Sequence, residues 1–249
     1  MSKVAIITGA SSGIGAATAA LLAGKGWNVV INFSRDEKRA KEIQKKCPTS
    51  ILVQADVGDD AGCRKLAKAA LDKWGRIDAL VNNAGTTKFV AHAKLDGLSA
   101  DDFLRMYRLN VVGPFQMVRA CADALKAAKG AVVNVSSVAL QLGTGSSIAY
   151  AASKAALNSV TYSLARVLGP EVRVNAVCPG YVDTPWQTGA LGQERADQAK
   201  AHYATLVPLK SHATPEDIAD AIAWLVEGAR QVTGETIFVD GGMHISPPR

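Results

Sequence analysis

Short apolar runs rich in β-branched residues alternate along this chain with longer amphipathic segments. Runs of this kind, bounded by Gly, Pro or polar residues, are typical of strands. They predict seven strands, at residues 4–8, 29–33, 51–55, 79–81, 131–135, 172–177 and 236–239. The runs are apolar on both faces, which is typical of a parallel sheet covered by helices on both sides. The sequence therefore predicts an α/β fold with a doubly wound sheet.

The domain organisation follows from the same pattern. No composition break or low-complexity tract divides the 249 residues, so we expect a single domain over residues 1–249. Gly169-Pro170 is expected to end a long helix. Thr214-Pro215 is expected to begin one, because Thr caps a helix and Pro suits its first position. Residues 184–211 are the least regular part, and long segments of this kind are often lids over a binding site.

Composition argues against several classes of protein. The chain carries a net charge of +6, but its basic and acidic residues are interleaved, which argues against a nucleic-acid partner. No apolar run approaches the ~20 residues needed to cross a bilayer and no cleavable signal is recognisable, so we expect a cytoplasmic protein with no membrane partner. The four cysteines and four histidines show neither disulfide nor zinc spacing, so we expect no metal.

A glycine-rich turn, T-G-A-S-S-G-I-G over residues 8–15, directly follows the first predicted strand. Glycines at such a turn let the backbone approach a pyrophosphate, whose charge then lies on the free N–H groups of the next helix. The spacing is G-x-x-x-G-x-G rather than the commoner G-x-G-x-x-G, and glycine-rich turns also occur for packing alone. Taken alone, the turn leaves both interpretations open.

Candidate chemistry follows the fourth and fifth strands. N-N-A-G occupies residues 82–85, Ser136-Ser137 follows the fifth strand, and Tyr150 stands 13 residues after Ser137. Lys154 lies four residues after Tyr150, so on a helix the two side chains share one face. A phenol is a poor base near neutral pH, and a neighbouring ammonium would lower its pKa and make it a usable acid–base group.

Together these motifs resemble the classical branch of the short-chain dehydrogenase/reductase family. The glycine turn, N-N-A-G, Asn110, the serine, tyrosine and lysine, Pro179-Gly180 and the closing V-D-G-G at residues 239–242 occur in the family's order over nearly the whole chain. Any one motif is weak, but all of them at matching intervals are specific. The resemblance implies a Rossmann-type sheet and hydride exchange between a nicotinamide dinucleotide and a carbonyl or alcohol carbon.

The resemblance also implies catalytic roles. Tyr150 would be the general acid in reduction and Ser137 would hydrogen-bond the substrate oxygen. Lys154 would bind the nicotinamide ribose and tune Tyr150, and Asn110 would hold a water in a proton relay. Because adjacent residues at a strand end point to opposite sides, only one serine should face the site, and the 13-residue offset selects Ser137 over Ser136.

The implied cofactor contacts are a pyrophosphate cradle at the glycine turn, adenine contacts after the third strand, ribose contacts after the fourth and nicotinamide contacts after the sixth. The residues are Gly9, Ser11, Ser12, Gly13, Ile14, Gly15, Asp56, Val57, Asn83, Ala84, Gly85, Pro179, Gly180, Val182 and Thr184, with Tyr150 and Lys154. Without the family context, Asp56 is equally compatible with a turn or a helix cap.

The end of the second strand indicates which dinucleotide is used. NAD sites usually place a carboxylate there, whereas NADP sites hold the 2′-phosphate with Arg. This strand ends N-F-S-R, and residues 35–46 hold six basic and three acidic residues. We therefore expect NADP(H), with NAD(H) as the alternative, and predict that Arg35 binds the 2′-phosphate with Ser34 as its helper. Asp36 and Glu37 weaken the case, as does Ser12, where many NADP-using relatives have a basic residue.

The expected function is NADP(H)-dependent reduction of a ketone to a secondary alcohol. A 3-oxoacyl substrate is one option, because the resemblance extends to 3-oxoacyl-acyl-carrier-protein reductases and generic ketone reductases. The alternatives are an NAD-dependent dehydrogenase of a sugar, polyol or steroid alcohol, and a catalytically silent dinucleotide sensor.

Trp186, Leu142 and Tyr203 are expected either to pack in the protein interior or to shape a substrate pocket. The apolar segments 101–129 and 149–168, which form a two-fold interface in the family, predict a homotetramer or, failing that, a dimer.

Overall fold

The computed structural model describes residues 2–246, apart from the side chain of Ala190. Its centre is a seven-stranded, entirely parallel sheet in the order β3-β2-β1-β4-β5-β6-β7. The strands are β1 (Val4–Ile7), β2 (Asn28–Phe33), β3 (Ser50–Gln54), β4 (Ala79–Asn82), β5 (Ala131–Val135), β6 (Arg173–Pro179) and β7 (Thr236–Val239). Every predicted strand is present, so the prediction of a doubly wound, Rossmann-type α/β fold is confirmed.

Helices connect the strands and cover the sheet. They are α1 (Gly13–Gly24), α2 (Glu37–Lys45), α3 (Asp60–Trp74), α4 (Ala100–Tyr107), α5 (Gly113–Ala128), α6 (Ala139–Leu142), α7 (Ile148–Leu168), α8 (Pro185–Leu191), α9 (Gln193–Leu206) and α10 (Pro215–Glu227). A π-helical turn, Arg108–Val112, joins α4 to α5, and short 3₁₀ turns occupy Leu95–Gly97 and Met243–Ile245. The segment predicted as one long apolar stretch, 101–129, is therefore two helices on either side of a π-helical turn.

The two faces of the sheet carry separate apolar cores, which explains why the strands are apolar throughout. Ala5 and Ile7 of β1 point to the side covered by α1 and α10, while Val4 and Ile6 point to the side covered by α3, α5 and α7. All four side chains are fully buried. Burying an Ile or Val in this way contributes about 1.5–3 kcal/mol to the free energy of folding relative to exposure. Because each strand has apolar side chains on both of its faces, helices pack stably on both faces of the sheet.

Helix boundaries follow the predicted signals except in one region. Helix α7 ends at Leu168, directly before Gly169-Pro170. Helix α10 begins at Pro215 with the reciprocal capping hydrogen bonds of Thr214 and Asp217. Residues 184–211 are not irregular as expected, because they form α8 and α9, separated by Gly192 at a φ of 77°. Only one residue of α9, Ala196, is buried, so the sequence lacks the apolar stripe that would have revealed this helix.

Candidate active site

A cleft of about 750 Å³ lies at the carboxyl ends of the strands, where β1 and β4 are neighbours and their following connections diverge. Residues from the ends of the first six strands border it. The sequence-predicted residues among them are Gly9, Ser11, Ser12, Gly13, Ile14, Ser34, Arg35, Asp56, Val57, Asn83, Ala84, Gly85, Ser137, Tyr150, Lys154, Pro179, Gly180, Val182 and Thr184. Gly15 and Asn110 do not border the cleft and lie behind its wall.

The glycine turn is built so that a phosphate group can approach the backbone. A Cβ atom on Gly15 would lie 2.5 Å from Nδ2 of Asn83 and 2.7 Å from the carbonyl oxygen of Gly9, so only glycine lets α1 begin this close to the turn. The Asn83 amide closes the turn by donating to the carbonyl oxygens of Thr8, at 2.9 Å, and Gly9, at 3.1 Å. No side chain caps the start of α1, which leaves its first N–H groups for an anion. These residues fit the pyrophosphate of a dinucleotide.

Two polar residues that were not singled out from the sequence hold this turn in place. The Asn32 side chain, near the end of β2, accepts from the Gly9 N–H at 3.1 Å and donates to the carbonyl oxygens of Val53 on β3 and of Ala55 directly after it. The Thr8 hydroxyl oxygen accepts from the N–H groups of Asn83 and Ala84, each at 3.0 Å. Thus the ends of the first four strands are tied together by buried and partly buried hydrogen bonds. Asn32 interrupts an otherwise apolar strand, and that interruption was the signal available in the sequence.

The end of the cleft that lies next to β2 and β3 carries arginines with different roles. Arg108, another residue that the sequence did not reveal, donates to the carbonyl oxygen of Gly58 at 3.1 Å and pairs with Asp56 and Asp59. Asp56 also accepts from the N–H of Gly58, so it is a turn residue as well as a cleft residue. Within residues 2–246, Arg35 forms no ion pair and is exposed beside Ser34.

The two acidic residues after Arg35 are engaged elsewhere. Asp36 caps α2 by accepting from the N–H of Arg39 at 2.9 Å and also pairs with the Arg39 guanidinium. Glu37 pairs with Lys41 one turn along the same helix. Neither carboxylate borders the cleft, so Arg35 is the charged residue of this segment that faces it.

Tyr150, Ser137 and Lys154 meet at the other end of the cleft. The Nζ atom of Lys154 lies 5.6 Å from the centre of the Tyr150 ring and donates to the carbonyl oxygen of Val135 at 2.7 Å. The Ser147 hydroxyl caps α7 by accepting from the N–H of Tyr150, which fixes the first turn of the helix that carries both Tyr150 and Lys154. The predicted sharing of one helix face is confirmed by these positions.

Burial controls the acid–base properties of this group. It raises the pKa of Tyr150 to about 12, although the neighbouring Ser137 hydroxyl acts in the opposite direction. It lowers the pKa of Lys154 to about 8, because a buried ammonium loses its hydration. Our expectation that Lys154 lowers the pKa of Tyr150 is therefore wrong for the protein alone. The ammonium lies over the ring and donates to a backbone oxygen, and the desolvation of the phenol dominates.

Asn110 supports the site from behind. Its side chain, on the π-helical turn, accepts from the Thr86 N–H at 2.8 Å and donates to the Thr86 carbonyl oxygen and to the Ser153 hydroxyl oxygen, each at 3.0 Å. Ser153 in turn donates to the carbonyl oxygen of Tyr150 at 2.7 Å. A buried chain of hydrogen bonds thus connects the segment after β4 to the helix that carries Tyr150. The proposed water relay at Asn110 stays a prediction.

Comparison with known proteins places this arrangement in a family. A family model described as enoyl-(acyl carrier protein) reductase matches residues 9–244. The "Granaticin polyketide synthase putative ketoacyl reductase 2" of Streptomyces violaceoruber is 39% identical over 243 residues, which are 97% of this chain and 96% of that protein. The chain belongs to the short-chain dehydrogenase/reductase family.

Further relatives agree with this family. The glucose 1-dehydrogenase 2 of Bacillus subtilis is 35% identical over 253 residues, covering 98% of this chain and 96% of that protein. The crystal structure of a "putative short-chain dehydrogenase/reductase" from Burkholderia xenovorans superposes with a TM-score of 0.91 at 39% identity, covering 98% of this chain and 99% of that one. The protein is an oxidoreductase of the family, acting on a CH–OH or carbonyl group with a nicotinamide cofactor.

The two serines before the family's tyrosine both border the cleft, although we expected only one to do so. Their hydroxyl groups have different partners. Ser136 donates to the carbonyl oxygen of Lys154 at 3.2 Å and is buried, whereas the Ser137 hydroxyl lies beside the Tyr150 phenol. The selection of Ser137 for substrate contact is consistent with this arrangement and stays a prediction.

The three residues that were candidates for the substrate pocket differ in their position relative to the cleft. Trp186 borders the cleft, its ring centre 6.3 Å from that of Tyr150. Among the described residues that line the cleft, Leu142 and Tyr203 are not found. The Tyr203 hydroxyl donates to the carbonyl oxygen of Asp240 and lies directly over Gly180, so it packs α9 against the end of the sheet.

Two further observations concern other kinds of site. In the part of the chain from residue 2 to residue 246, no three His, Cys, Asp or Glu side chains are grouped so that they could hold a metal ion. Over the same residues, none of the helices combines the length and the apolar character that a membrane span requires.

Proposed function

We propose that this protein is an NADP(H)-dependent reductase that converts a ketone to a secondary alcohol. One observation carries the proposal. A single cleft brings a half-buried tyrosine beside a buried lysine at one end together with, at the other end, an exposed arginine that forms no ion pair within residues 2–246. The first is suited to protonating an oxygen and the second to binding an extra phosphate.

Tyr150 acts as the general acid in this mechanism. Because its pKa lies near 12, the phenol holds its proton throughout the neutral range and has it available for the substrate oxygen. Ser137 donates a second hydrogen bond to that oxygen and stabilises the charge that develops on it. A nicotinamide held in the cleft would supply the hydride for the carbonyl carbon, so that the alcohol and the oxidised cofactor would be the products.

The remaining groups bind the cofactor or hold the helix that carries Tyr150 in position. Lys154 directs one N–H to the Val135 oxygen and keeps two donors for ribose hydroxyl groups. Asn110 and Ser153 hold the start of α7 against the segment after β4. The glycine turn and the open start of α1 bind the pyrophosphate. Each of these groups fixes geometry, which is the main contribution a protein makes to hydride transfer.

The experiment for the catalytic assignment replaces Tyr150 by Phe. The ring and its packing are kept while the acid is removed, so turnover should fall by at least ~10²–10⁴-fold and cofactor affinity should change little. Turnover is measured by the loss of NADPH absorbance on a panel of ketones, and affinity by fluorescence titration. Near-parental turnover of the Phe variant on any ketone that the parent reduces would contradict the assignment.

The choice of NADP(H) is tested at Arg35. Removing one charge-assisted hydrogen bond costs ~1.5–3 kcal/mol, so Arg35→Ala should weaken NADPH binding by roughly ten- to a hundred-fold and leave NADH binding nearly unchanged. Lys38→Ala is the matched control. It also removes one positive charge, but Lys38 lies on α2 and does not border the cleft. Equal binding of NADH and NADPH by the parent would refute the choice, as would an equal loss of both in the Arg35 variant.

Two relatives each support a different candidate substrate. A 3-oxoacyl group is supported by the ketoacyl reductase relative at 39% identity. A sugar is the second candidate, supported by the glucose dehydrogenase relative at 35% identity. Comparing NADPH oxidation with a 3-oxoacyl thioester against NAD(P)⁺ reduction with aldoses distinguishes the two.

We also propose that the protein forms a homotetramer. The α4–α5 segment and α7 expose apolar side chains that the monomer leaves in water: Leu104, Tyr107, Val112, Phe115, Tyr162 and Val167. Leu104 and Val167 are 67% and 70% exposed, and a subunit interface that covered these helices would bury them together with the other four side chains. Light scattering at micromolar concentration that showed a monomer would contradict this proposal.

A further inference from the structure

Trp186 is a large apolar side chain that lies beside the proposed acid and remains open to solvent. It is the second residue of α8, its ring centre lies 6.3 Å from that of Tyr150 and the two rings are inclined by 53°. The residue is 40% exposed and borders the cleft together with Gln187. The indole therefore forms a wall of the space in which a carbonyl group must meet Tyr150.

The segment that carries Trp186 is anchored at its start. Thr184 lies against the glycine turn, where its Cγ2 atom is 3.2 Å from the position of a Cβ on Gly13. Just before it, the N–H of Asp183 donates to the carbonyl oxygen of Ala213, and the N–H of Ala213 donates to that of Tyr181, each at 3.2 Å. Pro185 at the first position of α8 further restricts the backbone. Trp186 is thus held at a defined place over the cleft.

An indole in this position favours one class of substrate. Its flat face is apolar and electron-rich, so contact with another flat π system, in an offset or tilted arrangement, is favourable beyond the apolar area that it buries. The Trp186 ring is tilted against the Tyr150 ring, and its side towards the cleft can contact a second ring. A bound substrate would have to provide that ring. A planar group attached to the carbonyl carbon would fill this place as the oxygen reaches Tyr150.

We infer that Trp186 selects ketones that carry an aryl or other planar conjugated group next to the carbonyl. This inference rests on the proposed function, since it concerns the substrate of the same site. Saturated groups of equal size bury the same surface but lack the ring–ring interaction. Trp186 should therefore distinguish ketones by the planarity of the group beside the carbonyl rather than by its volume.

The experiment compares acetophenone with cyclohexyl methyl ketone, which share one carbon skeleton and differ in whether the ring is flat and conjugated or puckered and saturated. We measure kcat/KM for both ketones in the parent and in Trp186→Leu, Trp186→Phe and Trp224→Leu. Intrinsic differences in carbonyl reactivity cancel when the aryl-to-cyclohexyl ratio of a variant is divided by that of the parent. The ratio should fall roughly 2- to 13-fold in Trp186→Leu, mainly through KM, and be largely kept in Trp186→Phe. Trp224, which is 49% exposed on α10 and outside the cleft, is the control and should leave the ratio unchanged.

A measurement on the parent alone keeps the test decisive if a variant does not fold. The product alcohol 1-phenylethanol should inhibit more strongly than 1-cyclohexylethanol. Equal inhibition, or an unchanged ratio in an active Trp186→Leu variant, overturns the inference and leaves the proposed function intact. If the parent reduces neither these ketones nor any other ketone with NADPH, the proposed function fails, and the inference fails with it.

Discussion

Replacing Lys154 by Met should reveal how much stability the protein loses by burying an ammonium at its active site. Lys154 is only 4% exposed, and burial lowers its pKa from an ordinary 10.5 to about 8. Met has a similar length and no charge. The variant therefore removes the desolvation penalty and, with it, the hydrogen bond from Nζ to the Val135 carbonyl oxygen.

The magnitude follows from linkage. Between pH 8 and 10.5 the unfolded chain binds a proton at Lys154 that the folded protein does not, so the free energy of unfolding of the parent rises with pH by up to 1.36 kcal/mol per pH unit. Below pH 8 the full penalty, about 3 kcal/mol, is present. Loss of the hydrogen bond costs the variant ~1–3 kcal/mol at every pH. At pH 7 the variant should therefore be equal to the parent in stability or more stable by up to about 2 kcal/mol, and at pH 10 it becomes the less stable protein.

Urea denaturation of both proteins at pH 7, 8, 9 and 10 and at one fixed protein concentration measures this difference. The free energy of unfolding of the parent minus that of the variant should increase by about 2–3 kcal/mol across the series. Effects of other titrating groups are common to both proteins and cancel in the difference. A difference that stays constant within about 0.5 kcal/mol would show that Lys154 keeps its ordinary pKa in the fold, and the reasoning would be refuted.

Two other substitutions test the scaffold of the site. Gly15→Ala places a Cβ 2.5 Å from Asn83 and 2.7 Å from a carbonyl oxygen, so it should destabilise the fold by about 1–3 kcal/mol in urea titrations and weaken dinucleotide binding. Gly24→Ala, on the same helix with nothing within 4 Å, should instead be neutral or stabilising, and equal effects of the two substitutions would contradict the packing argument. Ser153→Ala removes the link between Asn110 and Tyr150, so kcat should fall several-fold while the KM for cofactor stays unchanged. A parental kcat in that variant would show that the hydrogen-bond chain does not position Tyr150.

The sequence predicted the sheet because the strand signal is strong in a doubly wound fold. Strands buried on both faces must be apolar throughout, and such runs stand out between amphipathic segments. Helix α9 was missed for the opposite reason, since its residues are mostly polar and almost no periodic stripe exists to detect. The π-helical turn at Arg108–Val112 was not predicted, although Pro114, in the first turn of α5, was a signal in the sequence that the regular helix is interrupted there.

The candidate site was predicted where spacing encodes geometry. Tyr150 and Lys154 share a helix face at a separation of four residues, and the glycine turn lies between a strand and a helix, so both could be found locally. Asn32 and Ser153 were not found, because their partners lie far away in the sequence: Gly9 is 23 residues from Asn32, and Asn110 is 43 residues from Ser153. The pKa of Tyr150 was predicted in the wrong direction, since a sequence shows neighbours along a helix but not the depth of burial.

The division of labour between Asn32 and Arg35 has a consequence for the evolution of this enzyme. Asn32 fastens the glycine turn to the end of β3 through partly buried hydrogen bonds, while Arg35, three residues later, is exposed and forms no ion pair in the described part of the chain. The residues that build the fold are therefore separate from the residues proposed to contact a second cofactor phosphate. If that proposal holds, substitutions at 34 and 35 would exchange one dinucleotide for the other at little cost in folding free energy. Descendants of this sequence would then change the pool of reducing equivalents on which they draw without first acquiring a more stable protein.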